Sequence, residues 1–317
     1  MTLIDILPVL VAFIITVAAS RVLIPWLRKK KMDQTERVEG VASHLKKAGT
    51  PTMGGIAILA GILVVSLIFL PGHPKQGAVL LLTMGFGVIG FLDDYLKVFL
   101  KRSDGLIAWQ KLLLEIVVTG AFLAILMRGN PAALQMKVPF TQGTMMSVGW
   151  FALPFAFLVI LATVNGVNFT DGVDGLASGV TSIVALYFVL ISFREGGDIT
   201  PMSFAVLGAL MAFLLFNAHP AKVFMGDTGS LALGGFVAGA AYVTQRPLYI
   251  LIIGIIYAVE LVSVAMQVTY FKLTHGKRIF KMTPIHHHFE LSGWSETRIV
   301  ATFMIITALT CLVMLPY

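Results

Sequence analysis

The sequence predicts an all-α polytopic membrane protein with about ten transmembrane helices. Three observations carry this. Of its 317 residues, 57% are hydrophobic and 12% are charged, whereas a soluble domain carries about 25% charge. Mean hydropathy is +0.90. The apolar residues fall in runs near bilayer length, since a spanning helix needs about 20 of them. So few charges cannot cover a water-facing surface, and lipid is the natural solvent. The whole chain, 1–317, reads as one integral membrane domain.

The expected spans are 3–27, 53–70, 77–92, 106–127, 148–164, 176–193, 202–216, 230–244, 248–271 and 299–315. Span 1 opens with Asp5 instead of a basic stretch and runs on to Trp26, unlike a signal peptide. The breaks between spans hold Pro, Gly and charge, as at Pro71-Gly72, Gly196-Gly197 and Arg246-Pro247. A lone cysteine, Cys311 in the last run, excludes an internal disulfide and a cysteine-ligated zinc.

Charge sets the expected orientation. Counting Lys111 at the mouth of span 4 and leaving Arg298 with the start of span 10, the loops after odd-numbered spans hold sixteen of the 23 lysines and arginines. The positive-inside rule puts those loops in the cytoplasm and both termini on the extracytoplasmic side. This clustering by loop reports topology, so the net charge of +7 is no sign of nucleic-acid binding. Six of the seven histidines share the basic side. So do Asp93, Asp94, Asp171, Asp174 and Asp227. The rule does not require acids and histidines to follow lysines, so a single cytoplasmic site is expected.

Five segments carry the chemistry. Asp93 and Asp94 close span 3, where adjacent carboxylates need a cation. Lys97 is four residues from one and three from the other, so it can face either. Asn165, Asn168, Asp171 and Asp174 follow span 5 at a spacing of three. Gly166, Gly172 and Gly175 suggest an interrupted helix there, and oxygen-only ligands suit Mg²⁺. Turn formation is the plainer reading of the same residues.

The third segment, between spans 7 and 8, supplies Asn217, His219, Lys222, Phe224 and Asp227. Phe224 could stack on a nucleotide base or simply face the membrane. The fourth holds His286, His287 and His288, which lack the helical zinc spacing but can hydrogen-bond phosphates. The fifth, with Lys46, Lys47, Thr50 and Gly54-Gly55 before span 2, offers lysines and backbone N–H groups to an anion.

Together these segments resemble the polyprenyl-phosphate N-acetylhexosamine-1-phosphate transferase superfamily. The matching pieces are Gly49-Thr-Pro-Thr-Met-Gly-Gly55, Phe91-Leu-Asp-Asp-Tyr95, Asn168-Phe-Thr-Asp-Gly-Val-Asp-Gly-Leu176, Val223-Phe-Met-Gly-Asp-Thr-Gly-Ser230 and Pro284-Ile-His-His-His-Phe-Glu290. The first and last are similar to the muramoyl-pentapeptide branch. The resemblance implies transfer of phospho-MurNAc-pentapeptide from UDP-MurNAc-pentapeptide to undecaprenyl phosphate, giving lipid I and UMP with Mg²⁺. That places the chain in peptidoglycan biosynthesis at the bacterial cytoplasmic membrane. The expected partners are these two substrates, the bilayer and a second copy of the chain, with no nucleic acid.

On this reading Asp227 is the expected metal ligand, with Asp171 and Asp94 close by. Asp93 accepts a proton from the lipid phosphate or positions it. Lys46, Lys47, Lys97, Lys111 and His286 hold phosphates. Thr50, Asn168, Asp174, Asn217, Phe224, His287 and His288 shape the substrate pocket. The competing readings are a related UDP-GlcNAc transferase, an intramembrane aspartyl protease and a secondary transporter. The histidine segment argues against the first. Phe224 stands where the protease element needs Gly, and acids at one membrane face with no repeat argue against a transporter.

Overall fold

The computed structural model describes residues 3–30, 49–100, 105–128, 130 and 132–317. Its helices are α1 (Leu3–Lys29), α2 (Gly55–Phe69), α3 (Lys75–Val98), α4 (Ala108–Met127), α5 (Ala152–Thr170), α6 (Leu176–Arg194), α7 (Thr200–Asn217), α8 (Gly226–Val243), α9 (Ile250–Ile253), α10 (Ile255–Leu273), α11 (Ile285–Glu290) and α12 (Glu296–Met314). Among the described residues, nine helices are long and apolar enough to cross a bilayer. The protein is an all-α, multi-pass membrane protein.

The remaining long helix, α8, sits at the centre. Every residue from Thr228 to Tyr242 is buried, and α3, α5 and α2 pack around it. A helix walled in by protein has no lipid to match, so it tolerates its polar start and its many small residues. Those small residues let the neighbours approach closely. At Gly90 of α3, an added Cβ would lie 2.0 Å from the Asp227 carbonyl oxygen. Outside this group, α1 packs on α7 and α2, α12 on α6, and α4 on α3.

Several expected boundaries shift. Span 3 does not end before Asp93, because α3 continues to Val98 and carries both aspartates and Lys97 on its last turns. Span 9 is two helices, broken at Gly254 after a short turn at 247–249. A two-stranded hairpin, β1 (Met136–Lys137) with β2 (Met145–Met146), joins α4 to α5. The histidine segment forms the short helix α11 instead of a loop. The interrupted helix is present. α5 stops at Thr170, and α6 starts at Leu176 after Gly175 in the left-handed region (φ +80°).

Both chain ends lie at the end of the bundle remote from Asp227. Arg28, at the end of α1, donates to the Lys222 carbonyl near Asp227, so α1 begins at the other end. There Arg194 donates to the Leu315 carbonyl. The same remote end holds a polar clamp. Arg246, only 4% exposed, donates twice to Glu195 at 2.7 and 2.8 Å, and Lys137 adds a further ion pair. Burial opposes the Glu195 charge, but Arg246 and Lys137 prevail and hold its carboxyl below the ordinary range.

The α3–α8 contact is testable. Gly90→Ala should cost about 1–3 kcal/mol by overpacking and lower the thermal midpoint in detergent. At Gly120 in α4 the nearest atom to an added Cβ is 3.8 Å away. Gly120→Ala should therefore be neutral or stabilise by about 0.5–1 kcal/mol. Equal midpoints for the two variants would disprove the tight seam.

Candidate active site

The site is assembled where α3, α4, α5 and α8 meet. Asp227 lies in the first turn of α8, where unpaired N–H groups favour negative charge. Lys97 from α3 donates to its Oδ2 at 3.2 Å. Lys111 from α4 stands 3.6 Å from the same oxygen. Asn168 from α5 donates to its Oδ1 at 2.9 Å and to Ser230 Oγ at 2.8 Å. One carboxylate is thus gripped by three helices.

The adjacent aspartates have different work. Asp93 faces Lys97 at 2.5 Å, and its Oδ1 accepts the Leu106 N–H at 2.8 Å. So Lys97 pairs with the acid four residues before it and not the one three before. Asp94 caps α8. Its Oδ1 accepts the Asp227 N–H at 3.1 Å, and its Oδ2 accepts the Thr228 N–H and hydroxyl at 2.9 and 2.6 Å. These are the orphan donors that every helix start must satisfy. With both oxygens engaged, Asp94 fixes where α8 begins.

Asp171 ends α5 beside this cluster. Burial first, then Asp227, Asp94 and Asp174, push its carboxyl well above the ordinary range. The oxygens of Asp93, Asp94 and Asp227 lie within 4.8 Å of one another. Two ammonium groups already answer this crowding of acids. The set is oxygen-only and suits a hard divalent cation. Asp227 is the best-placed ligand, because its second neighbour Asp94 is spent on the α8 cap.

Other expected site residues are placed differently. Asn217 is buried, with Oδ1 accepting from Gly175 N and Ser178 Oγ and Nδ2 donating to the Val223 carbonyl. It ties α7 to α6 and leaves one of its two amide N–H donors uncommitted among these contacts. Asp174 is also buried, and its Oδ2 accepts from the Ala221 N–H at 3.0 Å and faces His219 Nδ1 at 3.1 Å. Phe224 is half-buried, and its backbone pairs with Pro51 and Gly54. That pairing brings Thr50 to the same rim. Lys46 and Lys47 lie outside the described residues.

The histidines behave as a framework. His286 is fully buried, with Nδ1 3.1 Å from Glu260 of α10. An added Cβ at Gly172 would lie 2.2 Å from its Nε2. Its ring therefore packs directly against the 171–175 turn. His287 pairs with Glu290 at 2.7 Å, and His288 accepts the Lys281 N–H at 3.1 Å. Sequence reasoning missed Ser230, Thr228, Glu115 and Glu260. The two glutamates were visible as single acids within apolar runs, a costly placement that signals a role.

Comparison with known proteins then fixes the family. The glycosyl transferase family 4 model matches residues 77–245, and a phospho-N-acetylmuramoyl-pentapeptide-transferase signature matches residues 47–59. The chain is 46% identical over 311 residues to the phospho-N-acetylmuramoyl-pentapeptide-transferase of Caldicellulosiruptor bescii, covering 98% of this chain and 96% of that one. It is 47% identical over 308 residues to that of Clostridium kluyveri, with 96% of each covered. The chain belongs to the phospho-N-acetylmuramoyl-pentapeptide-transferase family. In this transferase the family match spans α3 to α8 and so contains Asp93, Asp94, Lys97, Lys111, Asp171 and Asp227.

Asp227→Asn would keep the shape of the transferase site and remove the charge that its two lysines share. Turnover should fall by at least about a hundredfold, the scale of losing a charge-stabilising group. The thermal midpoint should stay near wild type. Activity within about twofold of wild type would remove Asp227 from the centre of the site.

Proposed function

We infer that this chain transfers phospho-MurNAc-pentapeptide from UDP-MurNAc-pentapeptide to undecaprenyl phosphate, giving lipid I and UMP for peptidoglycan synthesis. The observation that carries the reading is Asp227 gripped by Lys97 and Lys111 beside Asp93, in a chain whose relatives bear that enzyme name. Phosphoryl transfer asks a protein mainly for positioning and charge. A carboxylate cluster flanked by two ammonium groups supplies both.

Mg²⁺ fits the donor set, with Asp227 to hold it and Asp171 beside it, and would neutralise the diphosphate and improve UMP as a leaving group. The chain's own residues do the rest. Lys97 and Lys111 are shared between Asp227 and incoming phosphate oxygens. Asp93 holds the acceptor phosphate or takes its proton. An oxygen of the acceptor attacks the β-phosphorus, the bond to the bridging oxygen breaks, and UMP leaves with that oxygen. Asn168 keeps Asp227 oriented throughout.

The site end faces the cytoplasm of a bacterial inner membrane, and both termini face the other side. The basic loops support this orientation, and so do chain ends remote from Asp227.

UMP release from UDP-MurNAc-pentapeptide should need both Mg²⁺ and polyprenyl phosphate. Lipid-stripped enzyme should show no burst, because a phosphate monoester is already an anionic nucleophile. A burst of about one UMP per site that vanishes in Asp171→Asn would instead demand a covalent intermediate. For orientation, with Cys311→Ala as background, Ser292→Cys should label from the cytoplasm and Gln142→Cys from outside. Both positions are exposed, and the reverse pattern would invert the assignment.

A further inference from the structure

One buried acid takes no part in the chemistry so far. Glu115 on α4 is 3% exposed. Asn165 of α5 donates weakly to its Oε2 at 3.4 Å, while its Oε1 is buried with no hydrogen-bond partner. A buried carboxylate left half-satisfied is expensive, by several kcal/mol in order of magnitude. It is found where function needs it.

Glu115 stands one helical turn beyond Lys111 on the same face. Lys111 in turn is the more loosely held of the two site lysines. Lys97 is locked between Asp93 at 2.5 Å and Asp227 at 3.2 Å. Lys111 has its ion-pair contact with Asp227 at 3.6 Å.

The helix that carries this pair is peripheral. Glu115, Thr119, Phe122 and Leu123 are its buried residues, while Leu112, Leu113, Ile116 and Val117 are exposed, up to 60% at Val117. Lys111 therefore stands where a lipid-facing wall meets the carboxylate cluster. A phosphate anchored to a hydrocarbon chain comes from that side. A nucleotide sugar comes from water.

We propose that Glu115 is a positioning residue that draws Lys111 off Asp227 and presents it to the phosphate of the lipid acceptor. A charged Glu115, one turn along α4, pulls the ammonium away from Asp227 and leaves it free to meet a third anion. Without that charge it collapses onto Asp227 and is lost to the acceptor. Lys97 is left to the other substrate. The proposal rests on the transferase reading above.

The test is steady-state kinetics on the purified full chain in detergent, varying polyprenyl phosphate and UDP-MurNAc-pentapeptide separately. Glu115→Gln keeps size and hydrogen bonding but removes the charge. It should raise KM for polyprenyl phosphate about tenfold, the effect of losing one charge-assisted hydrogen bond. KM for the nucleotide sugar should stay within about twofold. Lys111→Gln, which changes no deeply buried group, should give the same selective rise. Adding Glu115→Gln to it should add nothing, because both act through one contact. Equal shifts for both substrates in Lys111→Gln overturn the proposal whether or not Glu115→Gln folds. So does full additivity, or an unchanged lipid KM in Glu115→Gln. Absence of UMP release by the wild type would reject the transferase reading itself.

Discussion

Asp227 sits where the fold and the chemistry depend on each other. Its carboxylate is reached by Lys97, Lys111 and Asn168, which ride on three different helices. Its backbone N–H is held by Asp94 from one of them. A charge buried among helices is costly unless its partners are in place. The three helices must therefore arrive together for α8 to start where it does. The same demand leaves a concentrated patch of opposite charges at one end of an apolar bundle, which is what handling a diphosphate requires.

The close packing around α8 keeps those partners in register. Gly90 lets α3 touch the Asp227 carbonyl, and Gly172 lets the 171–175 turn rest on His286. Behind His286 stands Glu260, buried in α10. The acidic turn thus rests on a buried His286–Glu260 contact. At the remote end the Glu195–Arg246 clamp holds α6 against the loop that follows α8. The bundle is pinned at both ends by charge and along its length by small residues.

Much of this was legible in the sequence, and the boundary is physical. Long apolar runs report spans directly, and glycines at 172 and 175 reported the break between α5 and α6. The Asp93–Lys97 pair follows from helical spacing alone. Asp94 as the cap of α8 does not, because its partners are 133 and 134 residues away. Asn217 and His286 carry the residue types of a binding site, and both are buried. Their neighbours Ser178, Val223, Glu260 and Gly172 are set by tertiary contact and leave no periodic trace. The Gly254 break was hidden because both halves of that span are equally apolar. The eighth expected span, 230–244, corresponds to α8, which is not among the nine described helices long and apolar enough to cross a bilayer.

The burial of α8 also keeps the two ends of the bundle apart. Between Asp227 and the Arg246 clamp runs a helix of 18 residues, about 27 Å long. It is buried from Thr228 to Tyr242 on every side. Between Asp227 and Arg246 this stretch carries no charged side chain. The buried helix thus separates two charged ends of the bundle by an apolar length close to that of a bilayer's hydrocarbon core.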